Sequence, residues 1–309
     1  LASVENCRAV KMGLVAQVAQ SYFELMALDN ELAIVRRTLE ARREGVRLAE
    51  IRFKGGLTSE IVFQQAKVEL AKTATMVPDL ERRISLKESE IALLTGDFPY
   101  AVNRNVLPEE IQLPDALPLG LPSTLLERRP DIRKAERELM AAHAEVGLAY
   151  TNMFPRLALT ATLGAESETL RDLLKSPYSY LAGNLLSPLF AMGKNRAALK
   201  AKRAAYEGAV AEYEKTVLTA FKETHNAIIN FNKIKDIYES RRQLAEASRT
   251  AVELAQLQYI NGVINYLDVL DAQRGYFDAQ IGLSNAIRDE LIAVVQLYKA
   301  LGGGWEQNP

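Results

Sequence analysis

The chain has 309 residues, of which 48% are hydrophobic and 25% charged, and its formal net charge is −1. These values are typical of a folded protein rather than a disordered one. The near-zero charge argues against nucleic acid as a partner, because domains that bind nucleic acid are usually markedly basic. The single cysteine, Cys7, has no partner in the chain for an internal disulfide.

The first 96 residues predict two long helices joined by a tight turn. Apolar residues recur at three- and four-residue spacings from Val4 to Phe53, which is typical of an amphipathic helix. A Lys-Gly-Gly sequence ending at Gly56 breaks this pattern, and Thr58 begins a capping segment for the next helix. We therefore assign residues 1–96 to a first helical hairpin, with a kink expected at Pro78.

The middle of the chain predicts a linker followed by another helix. Residues 97–128 contain five prolines, which favours an extended segment with a short turn near its end. Residues 129–154 have a helical pattern, and Pro130 suits the first position of a helix. No apolar run approaches the roughly 20 residues that a membrane-spanning helix needs.

Residues 155–191 predict a β-hairpin, because the hydrophobic period changes there from helical to two. Leu157, Leu159 and Leu163 form one face of the first strand. The other face carries Ala158, Thr160 and Thr162. The pattern alone leaves two interpretations open, a hairpin that covers a helical core and a barrel hairpin with one face towards lipid.

Residues 192–302 predict a second and longer helical hairpin. Between Lys194 and Ile260 the chain has no proline and one glycine, Gly208. A helix of that length is roughly 100 Å long, which suits a coiled coil, a spacer or a tube rather than a compact enzyme. A turn at Gly262 leads into the last helix, and residues 303–309 form a tail.

The two hairpins are predicted to be an internal repeat with an offset of 206 residues. The matching pairs are Phe53 and Tyr259, Gly56 and Gly262, Leu57 and Val263, Ile61 and Leu267, Ala66 and Ala272, and Gly96 and Gly302. Two such hairpins can pack as a four-helix sector. The predicted fold class is therefore mainly α with a small β part.

Two aspartates after the second turn are the candidate site. Asp268 and Asp271 are three residues apart and so share a helical face. The alternative is structural, with Asn265 capping the helix and Asp268 near its positive end. Tyr259 is a candidate latch through a hydrogen bond to a neighbouring helix, or else a packed aromatic beside the turn.

The residues indicate no enzyme. The two histidines, His143 and His225, fall in different helical segments, and no catalytic constellation, metal-ligating cluster or phosphate loop is visible. We therefore expect no cofactor and no bound metal.

Several motifs resemble the outer-membrane efflux protein family, the TolC-like exit ducts. The most specific is Leu-Pro-Ser-Thr-Leu-Leu-Glu-Arg-Arg-Pro-Asp-Ile at residues 121–132, followed by Phe-Pro-Arg-Leu at 154–157. Pro-Leu-Phe at 188–190 and Ala-Leu-Gly-Gly-Gly-Trp at 300–305 also match. The resemblance covers essentially the whole chain and is closest to the lipoprotein branch that serves tripartite RND-type multidrug or metal efflux pumps.

The resemblance implies a homotrimer in the outer membrane of a Gram-negative bacterium, extending into the periplasm. Each protomer would give strands to a shared outer-membrane barrel and a helical sector to a periplasmic α-barrel, with residues 97–128 as an equatorial linker. The implied partners are a periplasmic adaptor protein, an inner-membrane RND-type pump and outer-membrane lipid. A signal peptide, a lipid-carrying cysteine and the first repeat's strand pair would precede Leu1, so we expect a fragment of a longer protein.

The resemblance also assigns roles to residues. Asp268 and Asp271 would line the periplasmic aperture, with Tyr259 as a latch. Related ducts often carry an arginine two residues after the turn glycine, where this chain has Ile264. The hairpin tips would meet the adaptor, and one strand face would meet lipid. The tip residues are Gly56, Thr58, Gly262 and Asn265, and the lipid-facing ones are Leu157, Leu159 and Leu163.

The predicted function is a passive exit duct that conducts small molecules or ions from the periplasm to the exterior. The alternatives are a duct for type I protein secretion and a soluble coiled-coil scaffold or adaptor. The period-two strand argues against the scaffold, which has no use for a strand with an apolar outer face.

Overall fold

The computed structural model describes residues 2–104, 122–166, 168, 177–186 and 192–303. These residues form six helices and two strands, which confirms the mainly α fold with a small β part. In chain order they are α1 (Ala2–Lys54), α2 (Glu60–Thr95), α3 (Pro122–Arg128), α4 (Pro130–Thr151), β1 (Arg156–Ala165), β2 (Pro177–Leu186), α5 (Met192–Ile260) and α6 (Tyr266–Ala300).

The helices are long because few residues interrupt them. The longest helix, α5, has 69 residues, which corresponds to about 100 Å at 1.5 Å per residue. In α2 the helix continues through Pro78. The short turn expected after residue 122 is instead a complete helix, α3, and the helix predicted for 129–154 ends at Thr151.

The chain divides into two compact units. The first comprises Leu1–Asn6 and Asp131–Leu218, so it includes α4, the β-hairpin and the start of α5. Within it, α4 packs beside α5 through the rings of His143 and Tyr206, whose centroids lie 5.5 Å apart. An ion pair of 2.6 Å between Lys202 and Glu145 joins the same two helices.

The strands form one antiparallel pair in which each face has a distinct character. Leu157 lies opposite Leu185, and Leu159 lies opposite Gly183. The leucine face therefore comprises Leu157, Leu159, Leu163, Leu181 and Leu185, each at least 69% exposed. The opposite face carries the polar Thr160, Thr162, Tyr180 and Asn184.

The second unit comprises Cys7–Pro130 and Thr219–Pro309 and contains the parts of α1, α2, α5 and α6 that pack together. Its larger core cluster joins α1, α2 and α6, and Leu25, Val35 and Leu80 are almost fully buried there. A smaller cluster lies at the turns, where Ala49, Ala66, Tyr266, Val269 and Leu270 are buried. Within this unit, the four helices therefore pack as one sector, as the sequence predicted.

The repeat is confirmed in the backbone geometry. The four described residues with a positive φ angle are all glycines, and they form two pairs 206 residues apart: Gly56 and Gly262, both at 71°, and Gly96 and Gly302, at 81° and 77°. Glycine is needed there because a side chain makes the left-handed region unfavourable.

Candidate functional site

The two hairpin tips have the same turn geometry. At the first tip the amide of Leu57 donates to the carbonyl oxygen of Arg52 at 2.8 Å. At the second, the amide of Val263 donates to the carbonyl oxygen of Gln258 at 2.9 Å. These bonds close each helix with a left-handed cap. Four predicted tip residues, Gly56, Thr58, Gly262 and Asn265, thus lie at the turns, and all except the half-buried Thr58 are exposed.

Asp268 has a structural role at the second tip. Its Oδ2 atom accepts a hydrogen bond of 3.0 Å from the backbone amide of Asn265, which precedes the first residue of α6. A carboxylate in the first helical turn is favourable because the amide end of a helix carries partial positive charge. This contact supports the structural interpretation, in which Asp268 lies near the positive end of α6, and the residue is nonetheless exposed.

Asp271 has a longer polar contact within the chain than Asp268 has. Its side chain is 84% exposed, and its Oδ1 atom lies 3.7 Å from Nη1 of Arg274. Asp268 and Asp271 are both at the surface, one helical turn apart, as their spacing predicted. Such a pair attracts cations, and its role as an aperture remains a prediction.

Tyr259 packs within its own hairpin sector. Its ring centroid lies 5.2 Å from that of Tyr266, and the guanidinium of Arg52 lies 4.9 Å from the Tyr259 ring centroid. Since Arg52 belongs to α1 and Tyr259 to α5, this cation–π contact joins the ends of the two hairpins. The packed-aromatic interpretation is therefore supported, and the predicted hydrogen-bonded latch stays a prediction.

Tyr266 packs in the small core cluster beside the second turn. It is 9% exposed, and burial raises the pKa of its phenol, with a smaller contribution from Tyr259. A Cβ atom added at Gly45 would lie 2.9 Å from the Tyr266 hydroxyl oxygen, so the glycine leaves room for the phenol against α1.

A buried ionic cluster was not predicted from the sequence. Glu69 of α2 is 4% exposed, and its carboxylate lies 3.3 Å from Arg42 of α1 and 3.1 Å from Arg274 of α6. Burial lowers the pKa of the Arg42 guanidinium. A signal was present, since Glu69 and Thr73 continue the three- and four-residue spacing of the buried stripe that begins at Ala66.

The Arg-Arg-Pro-Asp motif also has a physical explanation. Arg129 is 4% exposed and donates a hydrogen bond of 3.2 Å to the carbonyl oxygen of Ala300, the last residue of α6. It also lies 2.6 Å from Glu223 of α5. A cation at the carbonyl end of a helix stabilises it, so Arg129 fastens the end of the second hairpin. Gly302 packs against this segment, because a Cβ atom there would meet the Arg128 and Arg129 backbone at 3.1–3.2 Å.

The leucines predicted to face lipid, Leu157, Leu159 and Leu163, share one face, and Leu181 and Leu185 from β2 extend it. Among the helices that the structure describes, none is long and apolar enough to cross a membrane. The described side chains also include no group of three or more His, Cys, Asp or Glu placed to hold a metal ion.

Comparison with known proteins gives a consistent result. A family model described as outer membrane efflux protein matches residues 1–97 and 121–303. The outer membrane protein OprJ of Pseudomonas aeruginosa is 36% identical over 317 residues, which covers 99% of this chain and 65% of OprJ. The toluene efflux pump outer membrane protein TtgI of Pseudomonas putida is 35% identical over 309 residues, with 99% and 65% covered.

A solved structure supports the same relationship. The crystal structure of a membrane protein from Pseudomonas aeruginosa matches with a TM-score of 0.88 at 34% identity, covering 99% of this chain and 69% of that one. The chain spans about 65% of the length of the two curated relatives. Because the family model matches most of its residues, the chain belongs to the outer membrane efflux protein family, whose members lie in the outer membrane of Gram-negative bacteria.

Proposed function

We propose that the full-length protein is a trimeric exit duct of a tripartite efflux pump, which passes small molecules or ions from the periplasm to the exterior. The observation that carries the proposal is the duplicated hairpin with matched glycine turns, in a chain of the outer membrane efflux protein family. The duct acts as a passive conduit and catalyses no reaction. The name of the relative TtgI, a toluene efflux pump protein, supports a small-molecule cargo.

The exposed apolar surface supports assembly with further copies. The exposed large apolar side chains along α5 include five that are 47–57% exposed: Ile229, Ile237, Leu244, Leu254 and Leu257. Repeated exposed apolar residues on one long helix are typical of an interaction surface. One chain supplies a single four-helix sector, which is too little to enclose a channel. The family resemblance implies three sectors, with the adaptor at the tips and an RND-type pump as a further partner.

The second tip supplies the aperture of the proposed duct. In a threefold assembly Asp268 and Asp271 would contribute six carboxylates around the axis. Carboxylates that lie close together repel one another and attract cations, so the ring would bind divalent cations when narrow. The contacts of Tyr259 with Arg52 and Tyr266 would steady the tip that carries these carboxylates.

Planar-bilayer recording of the full-length protein tests this function. Replacing Asp268 and Asp271 together by alanine should raise the single-channel conductance or weaken block by Mg²⁺. The control is the double alanine variant of Asp79 and Asp236, two exposed aspartates paired with Arg82 and Lys233 on their own helices. Absence of channels from the unmodified protein would contradict the duct, and equal effects of both double variants would contradict the aperture.

Substitutions on the two faces of the strand pair test the proposed contact with lipid. We propose that the leucine face of β1 and β2 meets lipid, while Thr160 and its neighbours face the lumen. Leu159→Arg should cost up to about 2–4 kcal/mol if it lies near the bilayer midplane, whereas Thr160→Arg should be tolerated because its charge reaches water. Refolding yields of the full-length protein in liposomes compare the two variants, and equal damage would contradict the assignment.

A further inference from the structure

The ionic cluster around Glu69 joins three helices of one unit. Two cations lie close to the Oε1 atom of the Glu69 carboxylate. Lys72, on the same helix, is 3.3 Å away, and Arg274, on α6, is 3.1 Å away. Its Oε2 atom lies 3.3 Å from Arg42 of α1. A carboxylate that is 4% exposed needs such compensation, because its removal from water is costly.

The Arg42 side of the cluster is fixed within the first hairpin. Arg42 is 9% exposed and donates a hydrogen bond of 2.8 Å to the backbone oxygen of Glu69 and another to the hydroxyl of Thr73. The Thr73 hydroxyl in turn donates to the same backbone oxygen at 2.9 Å. These bonds fix the Arg42 guanidinium within the first hairpin, where it lies 3.3 Å from the Glu69 carboxylate.

The Arg274 side reaches from this buried site to the candidate aperture. Its Nε atom lies at the Glu69 carboxylate, while its Nη1 atom lies 3.7 Å from Oδ1 of Asp271. The Arg274 side chain is 43% exposed, whereas Glu69 is almost completely covered and the Asp271 side chain is 84% exposed. One guanidinium thus links a fixed carboxylate in the first hairpin to the exposed carboxylate of the second.

We propose that Glu69 and Arg274 form a latch that holds the second hairpin against the first and keeps Asp271 at the closed aperture. This inference rests on the proposed duct function. Movement of α6 away from α2 would separate the 3.1 Å ion pair and leave Glu69 with less compensation for its burial. Glu69 and Arg274 are positioning residues in this mechanism.

Single-channel recording of the full-length trimer in planar bilayers tests the latch with Arg274→Gln, Glu69→Gln and the double variant. Loss of the latch should shift the closed-to-open equilibrium towards open by about 2- to 100-fold, the range expected for directly coupled residues. Both single variants should raise the open fraction. The open fraction of the double variant should be no higher than that of either single variant, because the same contact is lost in all three.

The signs of these effects separate a latch from a simple change of charge. If the charges acted only on the passing cations, Arg274→Gln would raise cation current and Glu69→Gln would lower it. Opposite signs, or unchanged open fractions, would therefore overturn the latch. Arg249→Gln is the control, because Arg249 loses the same charge in an exposed pair with Glu253 on α5.

Three further outcomes are distinguishable. If Glu69→Gln fails to assemble, Arg274→Gln decides the question alone, because it leaves the Arg42–Glu69 pair intact. If the alanine variant of Asp268 and Asp271 changes the conductance while Arg274→Gln does not, the latch is wrong and the aperture stands. If the unmodified protein forms no channel, the duct function itself is wrong.

Discussion

The two hairpin tips have nearly the same backbone and different side-chain chemistry. Both turn glycines have a φ of 71°, and both turns close with the same pair of backbone hydrogen bonds. The second tip places Asp268 and Asp271 at its surface, whereas the equivalent positions of the first tip hold Val62 and Gln65, both half-buried. The first hairpin keeps an exposed carboxylate at its tip, Glu60, and carries a buried one further along α2, Glu69.

The two copies of the duplicated unit therefore share a backbone and differ in side-chain chemistry. The turn geometry depends on a few glycines, so both copies retain it. The side chains on the following helix are less constrained by the turn, and they diverge. In our interpretation the second hairpin provides the charged aperture, and the first provides the fixed support against which it closes.

Of the substitutions that compare the two hairpins, removal of the buried Glu69 carboxylate should lower the free energy of unfolding most. Glu69→Ala leaves Arg42 buried without its partner, and breaking a buried pair costs about 3–5 kcal/mol. Glu81→Ala is the matched control, because Glu81 pairs with Arg36 across the same two helices while both are more than half exposed. Exposed pairs contribute about 0–1 kcal/mol. Thermal unfolding of the detergent-solubilised full-length protein compares the two variants, and equal losses of stability would show that the Glu69 cluster is not a buried support.

The far ends of the two hairpins should respond unequally to the same substitution. Gly302→Ala places a Cβ atom 3.1–3.2 Å from the Arg128–Arg129 backbone at a φ of 77°, whereas Gly96→Ala at 81° meets no atom within 4 Å. We expect a loss of about 2–4 kcal/mol for Gly302→Ala and about 1–2 kcal/mol for Gly96→Ala. The unfolding midpoints of the two variants measure the difference. Equal midpoints would show that the contact with the Arg129 segment adds no constraint at Gly302.

The two tips should respond equally where their backbones agree. Gly56→Ala and Gly262→Ala should each cost about 1–2 kcal/mol, because alanine is unfavourable in the left-handed conformation. Gly208→Ala, within α5 and free of nearby atoms, should instead stabilise the helix by about 0.5–1 kcal/mol. Unfolding midpoints test all three, and a marked difference between Gly56→Ala and Gly262→Ala would show that the tips are not equivalent.

The smallest effect should separate the two aspartates of the second tip. Asp268→Ala removes the carboxylate that accepts the Asn265 amide and should cost about 0.3–1 kcal/mol. Asp271→Ala should leave stability within about 0.5 kcal/mol, because its side chain is exposed. The same unfolding measurement distinguishes them, and a larger loss for Asp271→Ala would reveal a structural role for that residue.

Local patterns in the sequence determined much of this protein. The helical spacing predicted the long helices, the period of two predicted the strand pair, and the 206-residue offset predicted that the hairpins repeat. These properties depend on backbone preferences and on residues that are near in sequence. The repeat was clearest at the four glycines at positions 56, 96, 262 and 302, because a left-handed turn strongly favours glycine.

The tertiary structure alone decided which polar groups meet. The spacing of α2 placed Glu69 on its buried stripe, but no local pattern indicated that Arg42 and Arg274 reach it from two other helices. The role of Arg129 depended likewise on Ala300, which lies 171 residues further along the chain. Packing sets these distances, and the energy of a charge depends on the water and partners around it, which a position in the sequence does not specify.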